Sequence, residues 1–291
     1  MLTTISFDKF MSLENDSLTE ASENFDFNEF KKMPLKDMAT YLTDTCDIPL
    51  GGRGSSREVY LLNKSELNFT KGPACIKLVR TDGDRDVGAG IGQNREEASI
   101  IKKFQGAHDC FPLLYYRDAK NYFIIVELGT PLSTAPKGFI NSQLEPMRDT
   151  LEDFIDEFDY PSPYTKNKFS KWFNKFSNKQ NFTEFMVAIT TVMVNAQNVH
   201  KYNKDEIVWF NEFTHFLKDS NDPITYSIYE TIHFAMQKGA RQILWTDFIQ
   251  PANWAFVCRN GYFMLIPIDW GFTTKVAKDF YGWGNSSLTD W

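Results

Sequence analysis

A change in hydrophobic pattern near the middle of the chain limits its fold more than any other feature. Between residues 58 and 127 the apolar residues come in four short runs that are bounded by turn residues, and runs of this kind are typical of β-strands. The runs are Val59–Leu62, Ala74–Val79, Leu113–Tyr116 and Tyr122–Val126. Helical spacing through Ile100 and Phe104 separates the second run from the third. The order predicts a small antiparallel sheet with one helix.

From residue 141 to residue 242 the apolar spacing becomes helical. The first stripe consists of Leu144, Met147, Leu151, Phe154, Ile155 and Phe158, and others run through 169–176, 185–196 and 228–235. Two apolar runs then flank Asn260-Gly261, a strong hairpin signal because both residues accept a positive φ. We therefore predict an α+β fold whose second part is mainly helical.

The charge of the chain is unevenly distributed. The formal net charge is −7 over 291 residues, and residues 1–47 hold ten carboxylates against four lysines. We predict an acidic N-terminal extension over 1–47, a β-rich part over 48–129 and a mainly helical part over 130–291. The extension could be a docking segment, a lid over the core or partly disordered, and its composition does not choose among these.

Several classes of protein are not expected. The four cysteines lack CxxC spacing and the four histidines lack an HExxH pattern, so neither a disulfide framework nor a zinc site is indicated, and a reducing compartment fits best. The sequence does not start with a positively charged, apolar segment and a cleavage site, so no signal peptide is expected, and no apolar run approaches the roughly 20 residues that span a bilayer. The charge distribution also argues against a nucleic-acid-binding protein.

A glycine-rich turn and a strand lysine form the first candidate site. Gly52 and Gly54 precede the first strand and could bring the backbone close to phosphates, with Val59 covering a base. Lys77 lies among apolar residues of the next strand, and its ammonium would need a carboxylate partner. Glu97 on the following helix is our first choice for that partner. Its neighbour Glu96 ranks second.

Three polar residues near the end of the chain form the second candidate site. Asp247 and Asn253 lie on one loop, and Asp269 follows the predicted hairpin. Two oxygen donors of this set would suit Mg²⁺, which prefers oxygen ligands and keeps phosphate oxygens as further ligands. The remaining aspartate could accept the proton of an attacking hydroxyl.

Two other motifs are given structural interpretations. Gly88, Gly90 and Gly92 resemble a dinucleotide turn without its acidic partner, and we predict a flexible loop leading into the Glu97 helix. The segment 166–179 carries five lysines among aromatic residues and no acid. It is predicted to expose its lysines to solvent, with a surface for an acidic partner or substrate as the alternative.

Taken in order, these motifs resemble the protein-kinase-like superfamily. The resemblance implies a two-lobed fold with a small antiparallel β N-lobe, a mainly helical C-lobe and ATP bound between them. It implies that Gly52 and Gly54 cover the phosphates and that Lys77, paired with Glu97, holds them. In the same comparison Val59 and Cys75 contact the adenine, Val126 is the gatekeeper, and the hinge extends through Glu127, Leu128 and Gly129.

The resemblance also implies roles for the residues that would accept a proton and bind the metal ion. Asp247 would be the catalytic base, while Asn253 and Asp269 would bind Mg²⁺. The chain departs from the family pattern at Trp245-Thr246, which replaces His-Arg, and the loop from Asp247 to Asn253 is one residue longer than usual. Without that arginine, activation by loop phosphorylation is not expected.

The end of the chain departs from the family as well. Twenty residues follow Gly271, too few for an activation segment and the later C-lobe helices, so we expect a truncated C-lobe. In this respect the chain is similar to compact kinases of tailed phages and to aminoglycoside-type phosphotransferases. A cytoplasmic location is expected, in the host cell if the gene is phage-borne.

Three functions follow from the resemblance. The first is ATP- and Mg²⁺-dependent phosphorylation of serine or threonine in a protein substrate. The second is phosphorylation of a small molecule by the same chemistry. The third is a catalytically silent nucleotide-binding module that acts through a partner.

Overall fold

The chain is an α+β protein. The computed structural model describes residues 25–62, 67, 69–70, 72–82, 87–157, 166–167, 186, 204–235, 250–271 and 273–282, and in these ranges it has seven α-helices and eight β-strands. The described residues belong to two compact units. The first takes in residues from 1–106, 112–129 and 270–284, and the second takes in residues from 107–111, 130–269 and 285–291.

A five-stranded antiparallel sheet forms the centre of the first unit. Its strands are β1 (Leu50–Arg53), β2 (Arg57–Leu62), β3 (Ala74–Val79), β4 (Leu114–Arg117) and β5 (Phe123–Glu127). They are arranged in the order β1-β2-β3-β5-β4, and every neighbouring pair is antiparallel. The four strands predicted from the apolar runs are confirmed, and β1 is added by the segment that carries the first glycines.

One face of this sheet is covered by N-terminal helices. Helix α1 (Phe27–Phe30) and helix α2 (Leu35–Thr40) are followed by a π-helical turn at Tyr41–Thr45. Their apolar side chains share one core with alternate residues of β2, β3 and β5. This core includes Phe30, Met38, Leu42, Ile48, Tyr60, Leu62, Ile76, Leu78, Phe123 and Ile125. The described part of the acidic segment is therefore built into the core of this unit.

Helix α3 (Val87–Phe104) begins well before the helical spacing that predicted it. The expectation of a flexible loop at Gly88–Gly92 was wrong, because these residues form the first turns of the helix. Glycine weakens a helix by about 1 kcal/mol relative to alanine, but at Gly90 it permits close packing. A Cβ there would lie 2.6 Å from the Ser56 carbonyl oxygen.

Helix α7 (Thr274–Tyr281) ends the described part of the first unit and packs on α3. The Thr273 hydroxyl caps its start by accepting a bond from the Val276 amide at 3.2 Å. Gly282 ends it in the left-handed conformation, with φ of 65°. The first unit thus contains α1, α2 and α7 besides α3, more helices than the single one expected from the sequence.

The second unit is mainly helical. Helices α4 (Lys137–Glu157), α5 (Lys204–Asp219) and α6 (Pro223–Phe234) accompany a three-stranded sheet of β6 (Thr130–Pro131), β7 (Trp254–Arg259) and β8 (Tyr262–Pro267). The predicted stripe of α4 is buried at Leu144, Met147, Leu151 and Phe154. Apart from 166–167 and Met186, the segments predicted as helices over 166–196 lie outside the described residues.

The predicted hairpin is confirmed by the pairing of β7 with β8. Arg259 pairs with Tyr262 across the turn, and the two turn residues Asn260 and Gly261 have φ of 53° and 81°. Positive φ at both central positions is the requirement that favours Asn-Gly. The tight turn sets the register that places the start of β7 beside the end of β8.

Within the described ranges, no helix combines the length and apolar character needed to cross a membrane.

Candidate functional site

Strand register places four of the predicted site residues on one face of the five-stranded sheet. Val59 pairs with Lys77 and Cys75 pairs with Val126, and directly paired residues of an antiparallel sheet point to the same side. Lys77 and Cys75 are two residues apart on β3, so all four share this face. The opposite face holds the core formed with α1 and α2. Because side chains alternate between the two faces of each strand, the site residues and the core residues lie on opposite faces of the sheet.

A buried ion cluster lies on the site face where α3 packs against the sheet. The Lys77 ammonium is 2.6 Å from Glu97 Oε1, and the Arg57 guanidinium is 2.5 Å from Glu97 Oε2. The exposed fraction is 0% for the Glu97 side chain, 7% for Lys77 and 6% for Arg57. The structure thus brings together the lysine and glutamate that the sequence analysis paired, and it adds an arginine.

Glu96, the second choice, faces another direction. Its carboxylate contacts Lys275 at 3.1 Å and its neighbour Arg95 at 3.3 Å, and the side chain keeps 21% of its surface exposed. Consecutive residues of a helix are about 100° apart, so only one of the two glutamates can reach β3. Helix geometry therefore admits one of the two, and the observed contacts show that it is Glu97.

Asn94 holds the ion cluster against the sheet. Its side-chain amide donates to the carbonyl oxygens of Lys77 at 3.3 Å, Asn121 at 3.1 Å and Tyr122 at 3.3 Å. Its carbonyl oxygen accepts from Arg57 at 3.2 Å. Asn94 is fully buried, and a buried amide with these partners has its polar groups satisfied.

Arg57 and Asn94 are members of the site that were not predicted from the sequence. A signal was available, because Arg57 and Val59 are two residues apart on one strand and therefore share a face. Asn94 lies three residues before Glu97, one helical turn away on the same side of α3.

The glycine-rich turn between β1 and β2 is tied to the end of β3. The Gly54 amide donates to the Arg57 carbonyl at 2.8 Å, and Arg80 donates to the Gly54 carbonyl at 2.7 Å. Arg53 also pairs with Asp82, and its guanidinium lowers the pKa of that carboxyl below its ordinary value. These contacts fix the backbone around Gly52 and Gly54 in one conformation relative to β3.

The predicted hinge continues from β5. Val126 and Glu127 are buried, and the amides of Glu127 and Leu128 donate to the carbonyl oxygens of Leu113 at 2.8 Å and Pro73 at 2.9 Å. Both amides are therefore committed to protein carbonyls. Recognition of an adenine by this segment would have to use carbonyl oxygens and the amide of Gly129.

Cys75 lies deep in the site face. Its side chain is 4% exposed, and burial raises the pKa of its thiol to about 11. The thiol is therefore protonated at neutral pH and behaves as a small apolar group. This property suits a surface that contacts a flat apolar ring.

The second unit places Asn253 and Asp269 at the same end of the β7–β8 hairpin. Asn253 precedes β7 in a 3₁₀ turn at Pro251–Asn253, and Asp269 follows β8 by two residues. The Ile268 amide donates to the Asn253 carbonyl at 2.8 Å. Both side chains are partly exposed. Asp247, with Trp245 and Thr246, lies outside the described residues.

The donor set at this end of the hairpin fits Mg²⁺. A carboxylate and an amide oxygen are hard ligands of the kind that Mg²⁺ takes, and the ion usually completes its shell with water and phosphate oxygens. No group of three or more His, Cys, Asp or Glu side chains in the described part of the chain could hold a metal ion. Asn253 and Asp269 supply two side-chain oxygens of this kind at one end of the hairpin.

No protein-family model matches the chain, and a search of curated proteins returns no significant match.

Proposed function

We propose that the protein is an ATP- and Mg²⁺-dependent phosphotransferase with a protein-kinase-like fold, and that it phosphorylates serine or threonine hydroxyls of a protein substrate. The observation that carries the proposal is the buried Lys77–Glu97 ion pair on the site face of the sheet. In a phosphotransferase of this class, a strand lysine held by a helix glutamate positions the phosphates of ATP.

The energetics of the ion cluster support this interpretation. Desolvating charged groups costs several kcal/mol for each ion, and apolar residues of similar volume are often as stable or more stable in the same place. Stability alone therefore gives little reason to bury Lys77, Arg57 and Glu97 together between the sheet and α3. A polyanionic ligand such as ATP gives a reason, because an oriented lysine can hold its phosphates.

Each residue then has a defined role. Gly52 and Gly54 would let the turn approach the phosphates, and Lys77 would bind them while Glu97 keeps its ammonium in place. Val59, Cys75 and Val126 would contact the adenine, whose edge would be read by the backbone of Glu127 and Gly129. Asp247 would accept the proton of the attacking hydroxyl.

Asn253 and Asp269 would hold Mg²⁺ through their side-chain oxygens. The ion supplies positive charge that neutralises the transferring phosphoryl group. The protein residues orient this charge, and their fixed dipoles stabilise the developing negative charge without reorganising.

The test is transfer of phosphate from γ-labelled ATP in the presence of Mg²⁺ and a cell lysate. Asp247→Asn and Asp269→Asn should each lower transfer by about 100-fold or more, because a base or a metal ligand is lost. Asp149→Asn is the matched control, since Asp149 is an exposed aspartate of α4. It should transfer phosphate at the rate of the unaltered protein.

The outcomes separate the proposed function from its alternatives. Label in protein serine or threonine supports the proposal, and label only in low-mass products would assign a small-molecule acceptor. Unchanged transfer in both aspartate variants would overturn the assignment of the site. Mg²⁺-dependent ATP binding in calorimetry without any transfer would indicate a catalytically silent nucleotide-binding module.

A further inference from the structure

We propose that helix α7 is a built-in clamp that holds the Glu97 helix, so that the Lys77–Glu97 pair stays assembled without an activating modification. The contacts between α7 and α3 carry this inference, and its kinetic consequence rests on the proposed function. Gly92, Gln93, Phe280 and Tyr281 are the positioning residues of the clamp.

The first turns of α3 need support from outside the helix. Gly88, Gly90 and Gly92 fall within its first six residues, and each glycine makes a helix less stable than alanine would. Glu97 follows Gly92 by less than one and a half turns. The position of its carboxylate therefore depends on what keeps these weak turns helical.

Helix α7 supplies that support through close packing. A Cβ on Gly92 would lie 2.7 Å from Phe280 Cε2, so the aromatic ring occupies the space that any larger residue would need. A Cβ on Gly271 would lie 2.8 Å from the Gln93 carbonyl oxygen. Gly92 therefore allows α7 to pack directly on α3. Gly271 allows the chain that leads into α7 to pass close to α3.

Polar contacts extend the same interface. Gln93 donates to the Tyr281 hydroxyl at 3.0 Å and accepts from the Ser56 hydroxyl at 2.9 Å. Lys275 pairs with Glu96 at 3.1 Å. Ser56 and Gln93 are buried, so their hydrogen bonds would be costly to lose. The Gln93 amide thus joins α7, α3 and the glycine-rich turn.

Replacement of Gly92 by leucine tests the clamp, because the presence and the absence of the clamp predict opposite changes in amide hydrogen exchange of α3. If α7 did not support α3, leucine would strengthen the helix, and the exchange of its amide hydrogens would slow. If Phe280 packs as observed, leucine displaces the ring, and exchange of the 93–101 amides should rise by about tenfold or more. Tyr281→Phe removes the hydroxyl that contacts Gln93 at 3.0 Å and Ser55 at 3.4 Å and should raise the same rates by about fivefold.

Controls separate the clamp from general destabilisation. Asp279→Ala changes an exposed residue of α7 and should leave exchange unaltered. Amides of β7 and β8 should keep their rates in every variant. In a Phe280→Ala background the space is vacated, so adding Gly92→Leu should slow exchange in α3. Faster exchange in that background, or slower exchange in Gly92→Leu alone, would overturn the clamp.

The kinetic readout then links the clamp to the proposed site. Leucine at position 92 does not fit beside Phe280, so we expect α3 to be displaced in the ground state of Gly92→Leu, with only about a tenth of the molecules keeping Glu97 on Lys77. Apparent affinity falls in proportion to this competent fraction, so the KM for ATP should rise by about tenfold, with partial recovery in the double variant. An unchanged KM despite faster exchange would overturn the link to Glu97. Absence of phosphate transfer in the unaltered protein would instead contradict the proposed function, and the exchange results would still decide whether α7 holds α3.

Discussion

Arg57 and Lys77 contact opposite oxygens of the Glu97 carboxylate, at 2.5 Å and 2.6 Å. Because the carboxylate is fully buried, each cation offsets part of the cost of removing the other charges from water. Arg57 also bonds to Asn94, which holds α3 against the sheet. Arg57 therefore orients Glu97 from the side opposite to Lys77.

Replacing Arg57 by methionine should lower the free energy of unfolding by about 3 kcal/mol. The aliphatic chain is kept, but Glu97 Oε2 loses its partner inside the core. Urea denaturation followed by fluorescence measures the change. Arg95→Met is the matched control on α3, since Arg95 is 41% exposed and pairs with its neighbour Glu96, and it should cost less than about 1 kcal/mol. Equal effects would contradict a buried role for Arg57.

The two adjacent glutamates of α3 should respond very differently to neutralisation. Glu97→Gln removes the buried carboxylate that Lys77 and Arg57 share and should cost about 3–5 kcal/mol. Glu96→Gln removes a partly exposed charge and should cost less than about 1 kcal/mol. Thermal and urea unfolding measure both. A larger loss in Glu96→Gln would show that the wrong carboxylate has been assigned to the cluster.

Arg57 and Glu97 should also be coupled in a double-variant cycle. In Arg57→Met/Glu97→Gln, the second change removes a charge that the first had already left with fewer partners. The loss of stability should therefore be smaller than the sum of the single losses by at least about 1 kcal/mol. Additive losses would indicate that the two side chains act independently in solution.

The Cys75 thiol should make stability depend on pH in alkaline solution. Burial raises its pKa from the ordinary value of 9.0 to about 11. Below pH 8 the folded and unfolded states both keep the proton. Between about pH 9 and 11 the unfolded thiol ionises first, so the unfolded state binds fewer protons, and the free energy of unfolding falls as the pH rises.

The size of this effect can be measured by comparing variants. The stability difference between the unaltered protein and Cys75→Ala should decrease by about 2–3 kcal/mol between pH 8 and pH 11. Cys258→Ala, at a partly exposed position, should follow the pH dependence of the unaltered protein. A constant difference between the unaltered protein and Cys75→Ala would show that the thiol titrates normally.

Ser227 should contribute to the stability of the second unit. Its buried hydroxyl accepts from the Leu265 amide at 3.1 Å and so ties α6 to β8. Ser227→Ala would leave that buried amide without this acceptor and should cost about 1–3 kcal/mol. Thr214→Ala, which removes an exposed hydroxyl of α5, should have little effect. Equal unfolding midpoints for these two variants would contradict this role.

Local sequence signals predicted most strands of the first unit and one hairpin of the second. Strands β2 to β5 follow from short apolar runs, and the β7–β8 hairpin follows from Asn260-Gly261. Helix geometry admits only one of Glu96 and Glu97 beside Lys77. These features depend on residues close together in the chain, where side-chain alternation and turn conformation act directly.

Contacts between distant segments could not be predicted in this way. Gly88–Gly92 has a sequence typical of a loop, yet it is helical because Gly90 packs against Ser56 and Gly92 against Phe280. Arg57 belongs to the ion cluster because the register of β2 with β3 brings it beside Lys77. In both cases the energy comes from packing that exists only once the chain has folded.

The acidic N-terminal segment also has some features that its sequence determines and others that only the tertiary structure decides. Its composition determined that it carries negative charge and scattered aromatic residues, and it left the role of the segment open. The tertiary structure decided that Phe30, Met38 and Leu42 complete the core behind the sheet, because burying their apolar surface outweighs the weak helix propensity of short segments. The sequence by itself determined the strands, the hairpin and the chemical types of the candidate site, whereas long-range packing decided which side chains meet there.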